Sequence, residues 1–170
     1  MDNQNPYRAP EAPVVNSDRD TDLAELGERL AAALIDTFIM VCIMLPAMFF
    51  GGYFKAVIDA ALIGAQPPLG LIAMWGGIGF LVLVVVQGYP LSATAQTWGK
   101  RILKIRIVNL DGSKPPLARL LAMRYLPVQI ASLIPIIGSI LPLVDVLFIF
   151  RNDRRCVHDL IAGTRVVKVR

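Results

Sequence analysis

Glu28–Gly51 reads ERLAAALIDTFIMVCIMLPAMFFG, and the reading of this stretch decides the fold. From Leu30 to Phe50 its 21 residues carry a single charge, Asp36. A helix needs roughly 20 mostly apolar residues to cross about 30 Å of hydrocarbon, so a membrane-spanning helix is expected here. A carboxylate within such a span costs about 2.5–3.5 kcal/mol on insertion scales. It is tolerated where it faces protein or water. Arg29 precedes Asp36 by nearly two turns, so the two share a stripe, roughly 10 Å apart along the axis, with Ala32 and Ala33 between them. Leu30, Leu34, Phe38, Val41 and Leu45 form the opposite, greasier face. The Arg29–Asp36 stripe is expected to turn into a small helix bundle, where small residues allow close approach.

The rest of the composition agrees. Of 170 residues, 55% are hydrophobic, and they are gathered in a few long runs, the mark of a membrane protein. Residues 1–22, rich in proline and polar side chains, read as a disordered cytoplasmic tail, which leaves 23–170 as one membrane domain. Cys42 lies in the first span and Cys156 in a basic stretch, so neither a disulfide framework nor metal-ligand spacing is visible. With His158 as the single histidine, a histidine metal site within one chain is not expected, and no cofactor is implied. The pI near 9.3 comes from basic residues that flank apolar runs. Anionic lipid headgroups at the cytoplasmic face are therefore the expected partner, and nucleic acid is not. The first span follows an acidic lead of two arginines against seven acids in residues 1–28. It reads as a retained anchor rather than a cleaved signal.

Leu69–Val86 is a second span, 18 residues without a charge, in which Ala73 and Gly77 have the spacing of close-packing small residues. Leu117–Phe150 is 34 residues long and broken by Pro127, Pro135 and Pro142. Five basic residues lie in Gln87–Pro116 and six follow Phe150, against one in Gly51–Pro68. The positive-inside rule then puts both termini in the cytoplasm. Leu117–Phe150 must enter and leave on one side, as a hairpin of two short helices turning near Pro135–Ser139, or as a re-entrant loop. Leu103, Ile105 and Ile107 alternate with Lys104 and Arg106, and Val167 and Val169 with Lys168 and Arg170. Ile102–Asn109 is expected to pair with Thr164–Val169, antiparallel. Two strands are marginal alone and must rest on helix ends or headgroups. The fold class is an all-α membrane protein: a small bundle with four membrane-embedded helical elements, plus a cytoplasmic two-stranded β element.

Three segments together resemble the RDD family of bacterial membrane proteins, named for an arginine and two aspartates. They are Arg29 through Asp36; Gln96-Thr97-Trp98-Gly99-Lys100-Arg101 with Ile105-Arg106-Ile107-Val108 and Asp111-Gly112; and His158-Asp159-Leu160-Ile161-Ala162-Gly163-Thr164-Arg165-Val166-Val167. They cover about residues 24–168. Trp98 departs from the small or aliphatic residue usual there. The resemblance implies a multi-pass protein of the bacterial inner membrane. It makes Arg29, Asp36 and Asp159 the family-motif residues, with Asp145 the rival for the second aspartate. Association of some family members with sodium/proton exchange implies a cation/proton exchanger or transporter subunit, with a non-transporting adaptor or assembly factor as the alternative.

Asp36 and Asp145 are the candidate ion- or proton-binding groups, and a structural role is open for each. Arg29 and Arg124 read as interfacial anchors whose long side chains snorkel. Lys100, Arg101, His158 and Thr164 are assigned structural or interfacial roles. Gly99-Lys100 lacks the partners of a phosphate loop: Thr94 and Arg101 stand where the motif needs glycine and Ser/Thr. With no nucleophile–base or metal constellation, no enzyme is expected. One chain has few helices for a pathway, so a homo-oligomer is the expected working form.

Overall fold

The computed structural model describes residues 23–131, 134, 137–151 and 153–169. The tail expected over 1–22 lies outside the described residues. Helix α1 runs Leu26–Phe50, α2 Tyr53–Leu62, α3 Leu69–Thr94 and α4 Trp98–Ile102, followed by strand β1, Ile105–Asn109. A continuous helical run, α5, covers 117–131 and passes through a π-helical turn at Leu120–Tyr125. Helix α6, Ile137–Leu147, leads through a 3-10 turn at Phe148–Phe150 to α7, Val157–Ala162, and β2, Thr164–Lys168.

Helix α1 begins where sequence chemistry starts one. Glu28 accepts a hydrogen bond from the Glu25 backbone N–H at 2.8 Å, closing a capping box. Both α1 and α3 are long and apolar enough to cross a membrane. Leu30, Leu34, Phe38, Val41 and Leu45 are all exposed, as the greasy face of α1 requires. The two later elements are shorter. At 1.5 Å per residue α5 spans about 22 Å and α6 about 16 Å, each less than the hydrocarbon thickness. Of the four expected membrane elements, two thus have the length of a span. The expected turn near Pro135–Ser139 falls largely outside the described residues, but α5 and α6 do pack on each other.

Helices α1 and α3 meet where Gly79 lies against Met44, 3.7 Å from a would-be Cβ. Gly77, picked out by spacing, has nothing within 4 Å of such a Cβ. At the far end Gly51 gives way to the Trp75 ring, which a methyl there would strike at 2.6 Å.

The strands pair antiparallel, Ile105 opposite Lys168 and Asn109 opposite Thr164. Pairing begins three residues later than expected, because Ile102 still belongs to α4 and Lys104 turns the chain with φ 54°. Leu23 adds a bridge to Val167, and the Ile107 N–H donates to the Ala95 carbonyl at 2.9 Å. The buried Gln96 side chain donates to the Ile105 carbonyl, also at 2.9 Å. The marginal two-stranded sheet is therefore held by helix ends, as two strands must be. Ala24, Ala32, Leu91, Ala95, Ile105, Ile107, Leu120 and Val166 form one buried cluster at that end of the molecule. Burial thus concentrates in a knob where α1 begins and α3 ends, and beyond it the long helices expose their apolar faces.

Candidate functional site

Two aspartates organise the knob, each with its own partners. Asp159 is the third residue of α7 and fully buried. Arg29 Nη2 donates to its Oδ2 at 2.5 Å. Arg124 Nη1 donates to its Oδ1 and, at 2.9 Å, to Thr164 Oγ1. The Thr164 hydroxyl donates to Asp159 Oδ1 at 3.1 Å. The backbone N–H of Cys156 completes the set at 3.4 Å. Arg155 locks the same turn from outside, donating to the carbonyls of Thr164 at 3.0 Å and Asp159 at 3.2 Å. Burial pushes the Asp159 carboxyl up, but Arg124, His158 and Arg29 outweigh it and hold the group well below the usual carboxylate range.

Arg29 and Arg124 are thus not the snorkelling anchors expected of them. They are 7% and 4% exposed, and they clamp one carboxylate between α1, α5 and α7. Arg124 lies within the π turn. Leu120 and Arg124 are both buried within it, and π turns recur at such specialised positions.

Asp36 has a separate set. Its Oδ1 accepts from the Gly99 backbone N–H at 2.8 Å and from Gln87 Nε2 at 3.1 Å. Its Oδ2 accepts from the Thr97 hydroxyl at 2.5 Å. All three donors are neutral. Thr97 is also the N-cap of α4, accepting from the Lys100 N–H at 3.3 Å. Asp36 therefore docks the N-terminus of α4 on the middle of α1. Gly99 makes the approach possible, because a methyl there would overlap the Ala32 carbonyl oxygen and come within 3.0 Å of Asp36 Cγ. Arg29 and Asp36 share the inward stripe as expected, yet they are not partners.

Asp145 accepts from the His158 backbone N–H at 3.0 Å, and its Oδ2 lies 2.6 Å from His158 Nδ1. It fixes the start of α7 to the end of α6. Burial, and next the charge of Arg124, push the His158 pKa down against the pull of Asp145. Donor atoms of Asp145, Cys156 and His158 lie within 4.8 Å of one another, a grouping invisible in the sequence. Burial pushes the Cys156 thiol up to about 11, and Arg29 Nη2 stands 3.7 Å from its sulfur. A thiol kept protonated beside a guanidinium is a poor metal ligand. Arg101 is exposed, its guanidinium 5.7 Å from the Trp98 ring centroid.

A cavity of about 470 Å³ opens beside Asp36, between α1, α3 and α5. One end is polar, with Asp36, Gln87, Thr97, Lys100, Arg124 and His158. The other is apolar, with Met40, Met44, Phe80, Leu83 and Val128. Among the described residues the Lys100 ammonium has no hydrogen-bond or ion-pair partner. Burial, reinforced by the charge of Arg124, lowers its pKa to about 8. The sequence singled out Thr97 and Gly99 only as part of a motif and Lys100 as a structural or interfacial residue, and Gln87 and Tyr125 at the cavity wall were missed altogether. Gln87 carried one signal: it is the first polar residue after 18 apolar ones.

The profile of the RDD family matches residues 23–163. The uncharacterized protein YckC of Bacillus subtilis (strain 168) is 34% identical over 140 residues, covering 81% of this chain and 80% of that one. An uncharacterized protein of Haemophilus influenzae (strain ATCC 51907 / DSM 11121 / KW20 / Rd) is 32% identical over 96 residues, 55% of this chain and 58% of its own length. No solved structure matches.

Proposed function

The chain belongs to the RDD family of membrane proteins, and on that footing we propose that it is a transport or ligand-binding subunit of the bacterial inner membrane whose working part is the cavity between α1, α3 and α5. The observation that carries this reading is the cavity's division into a charged end and an apolar end, with Lys100, whose ammonium has no direct partner among the described residues, at the charged end. Ligand pockets of roughly 300–1,000 Å³ with a few convergent polar groups are the usual form of a small-molecule site. By the positive-inside bias both termini are cytoplasmic in this reading, and α5 with α6 forms a hairpin that enters from that side.

Sodium/proton exchange is the specific form that would use Asp36 as the titrating group, with Asp145 assisting. Two features weigh against it. Asp36 already accepts three hydrogen bonds, and Lys100 and Arg124 share its cavity, so an entering cation meets positive charge. Asp145 is engaged by His158. The reading is therefore placed on the cavity rather than on either carboxylate. The adaptor reading draws support from the knob, where Arg29, Arg124 and Asp159 satisfy one another and serve to hold the fold.

Proteoliposomes containing a pH-sensitive dye, driven by a sodium gradient, test the choice. Sodium-linked proton movement in the wild type that disappears in both Asp36→Asn and the cavity-filling Met44→Trp, at normal folded yield, would establish exchange. Movement unaffected by Met44→Trp would remove the cavity from the mechanism.

A further inference from the structure

Four cations, Arg29, Lys100, Arg124 and Arg155, stand around the cavity's polar end and the turn behind it, against three carboxylates, Asp36, Asp145 and Asp159. Burial and the charge of Arg124 favour the neutral form of His158 against the pull of Asp145, and Cys156 is a thiol. One positive charge is left over, and among the described residues Lys100 is the cation of the four whose side chain has no direct partner, Asp36 acting on it only across the cavity. Arg29 and Arg124 share Asp159, Arg155 is bound to backbone carbonyls, and the Asp36 oxygens are taken by Thr97, Gly99 and Gln87. A partly buried ammonium that touches no carboxylate is costly, and an anion joining it would relieve that cost. Below Lys100 the wall turns mainly apolar along Met40, Met44, Phe80 and Leu83, with Gln129, which donates to the Gly76 carbonyl, as a polar exception, toward the exposed faces of α1 and α3.

We propose that this cavity is a specific site for one acidic membrane phospholipid, its phosphate seated on Lys100 and one acyl chain lying along Met40, Met44, Phe80 and Leu83. The ligand supplies the missing negative charge at one end and apolar surface at the other, a pairing neither a bare cation nor a free inorganic anion provides. Basic pockets between membrane helices on the cytoplasmic side are where acidic headgroups bind. The inference rests on the cavity being the working site and adds the class of molecule that fills it.

Native mass spectrometry of the full chain in mild detergent, offered equal phosphatidylglycerol and phosphatidylcholine of matched chains, is the test. The expected result is one phosphatidylglycerol per chain, retained about tenfold over phosphatidylcholine. Lys100→Gln should erase the preference and Lys100→Arg should keep it. Arg101→Gln, one residue along on the exposed side of α4, should change nothing. Met44→Trp and Leu83→Trp, scored only where size-exclusion profiles match the wild type, should lose both lipids. Equal retention of the two lipids by the wild type, or a preference that survives Lys100→Gln, would overturn the acidic-lipid assignment even if the filled variants lose lipid. Unchanged retention in both filled variants would overturn the cavity reading itself. Displacement of the lipid by millimolar inorganic phosphate would assign the site to a free anion and likewise overturn the lipid.

Discussion

Asp159→Asn separates the roles of the two motif aspartates. The substitution keeps size and removes charge. In the wild type one carboxylate serves both Arg29 and Arg124, with exposure of 6% and 3% for the two arginine side chains and 0% for Asp159. An asparagine oxygen can still accept from one of them, but its NH₂ then faces the other guanidinium, donor against donor. Breaking a buried ion pair by removing one partner costs about 3–5 kcal/mol, and here two cations are stranded together. That is a large share of the 5–15 kcal/mol by which domains are typically stable. Asp36→Asn differs in kind. Its partners Thr97, Gly99 and Gln87 are neutral, an amide oxygen can keep two of the three bonds, and the loss is about 1–3 kcal/mol. Fluorescence-detected size-exclusion chromatography of detergent extracts, followed by a melting curve on the monodisperse peak, reads both. Asp159→Asn should give little or no monodisperse protein, and Asp36→Asn nearly normal yield with a lowered melting temperature. Wild-type behaviour of Asp159→Asn beside collapse of Asp36→Asn would refute the assignment of Asp159 as the clamp.

Four further outcomes follow from the same geometry. Gly99→Ala should push α4 off α1 and cost folded yield comparable to an overpacked core, about 1–3 kcal/mol; a melting temperature equal to wild type would show that the contact gives way freely. Folding lowers the Lys100 pKa to about 8 from an unfolded value of about 10.4. The unfolded chain therefore binds more protons between those values, and stability should rise as pH climbs from about 8 to about 10. Melting curves of lipid-stripped protein should show this rise, and Lys100→Met should abolish it. The depressed Asp159 pKa works in the opposite sense, its stabilisation being complete above the unfolded value near 3.9 and lost as pH falls below it; an acid melt of Asp159→Asn, in whatever yield is recovered, should lack that loss. A maleimide should spare the buried Cys156 until the protein is unfolded, as peptide mapping would show, and early labelling of Cys156 would mean that the knob opens.

The membrane character of this chain was legible in its sequence because it rests on composition and length. An apolar run of 21 residues has few other solutions, and the lipid-facing stripe of α1 follows from helical period alone. The strand pair was legible for a similar reason, since alternation of period two is local, though its start slipped where Lys104 takes a left-handed turn. Arg29, Asp36 and Asp159 could be picked out, but their pairing could not. Seven residues along one helix set Arg29 and Asp36 on one stripe, whereas the partner of Arg29 is 130 positions away. Ion pairs in a core are chosen by which helix ends meet, and no single segment encodes that. The burial of Arg124 depends on α5 meeting α7 and β2, and the use of Gly99 depends on the Ala32 carbonyl lying where a methyl would go. The cavity has the least local origin of all: its walls come from α1, α3, α5 and the turns beside them. Its charged end exists only because tertiary packing gives Arg29, Arg124 and Arg155 their partners and, among the described residues, leaves the Lys100 ammonium without a direct one.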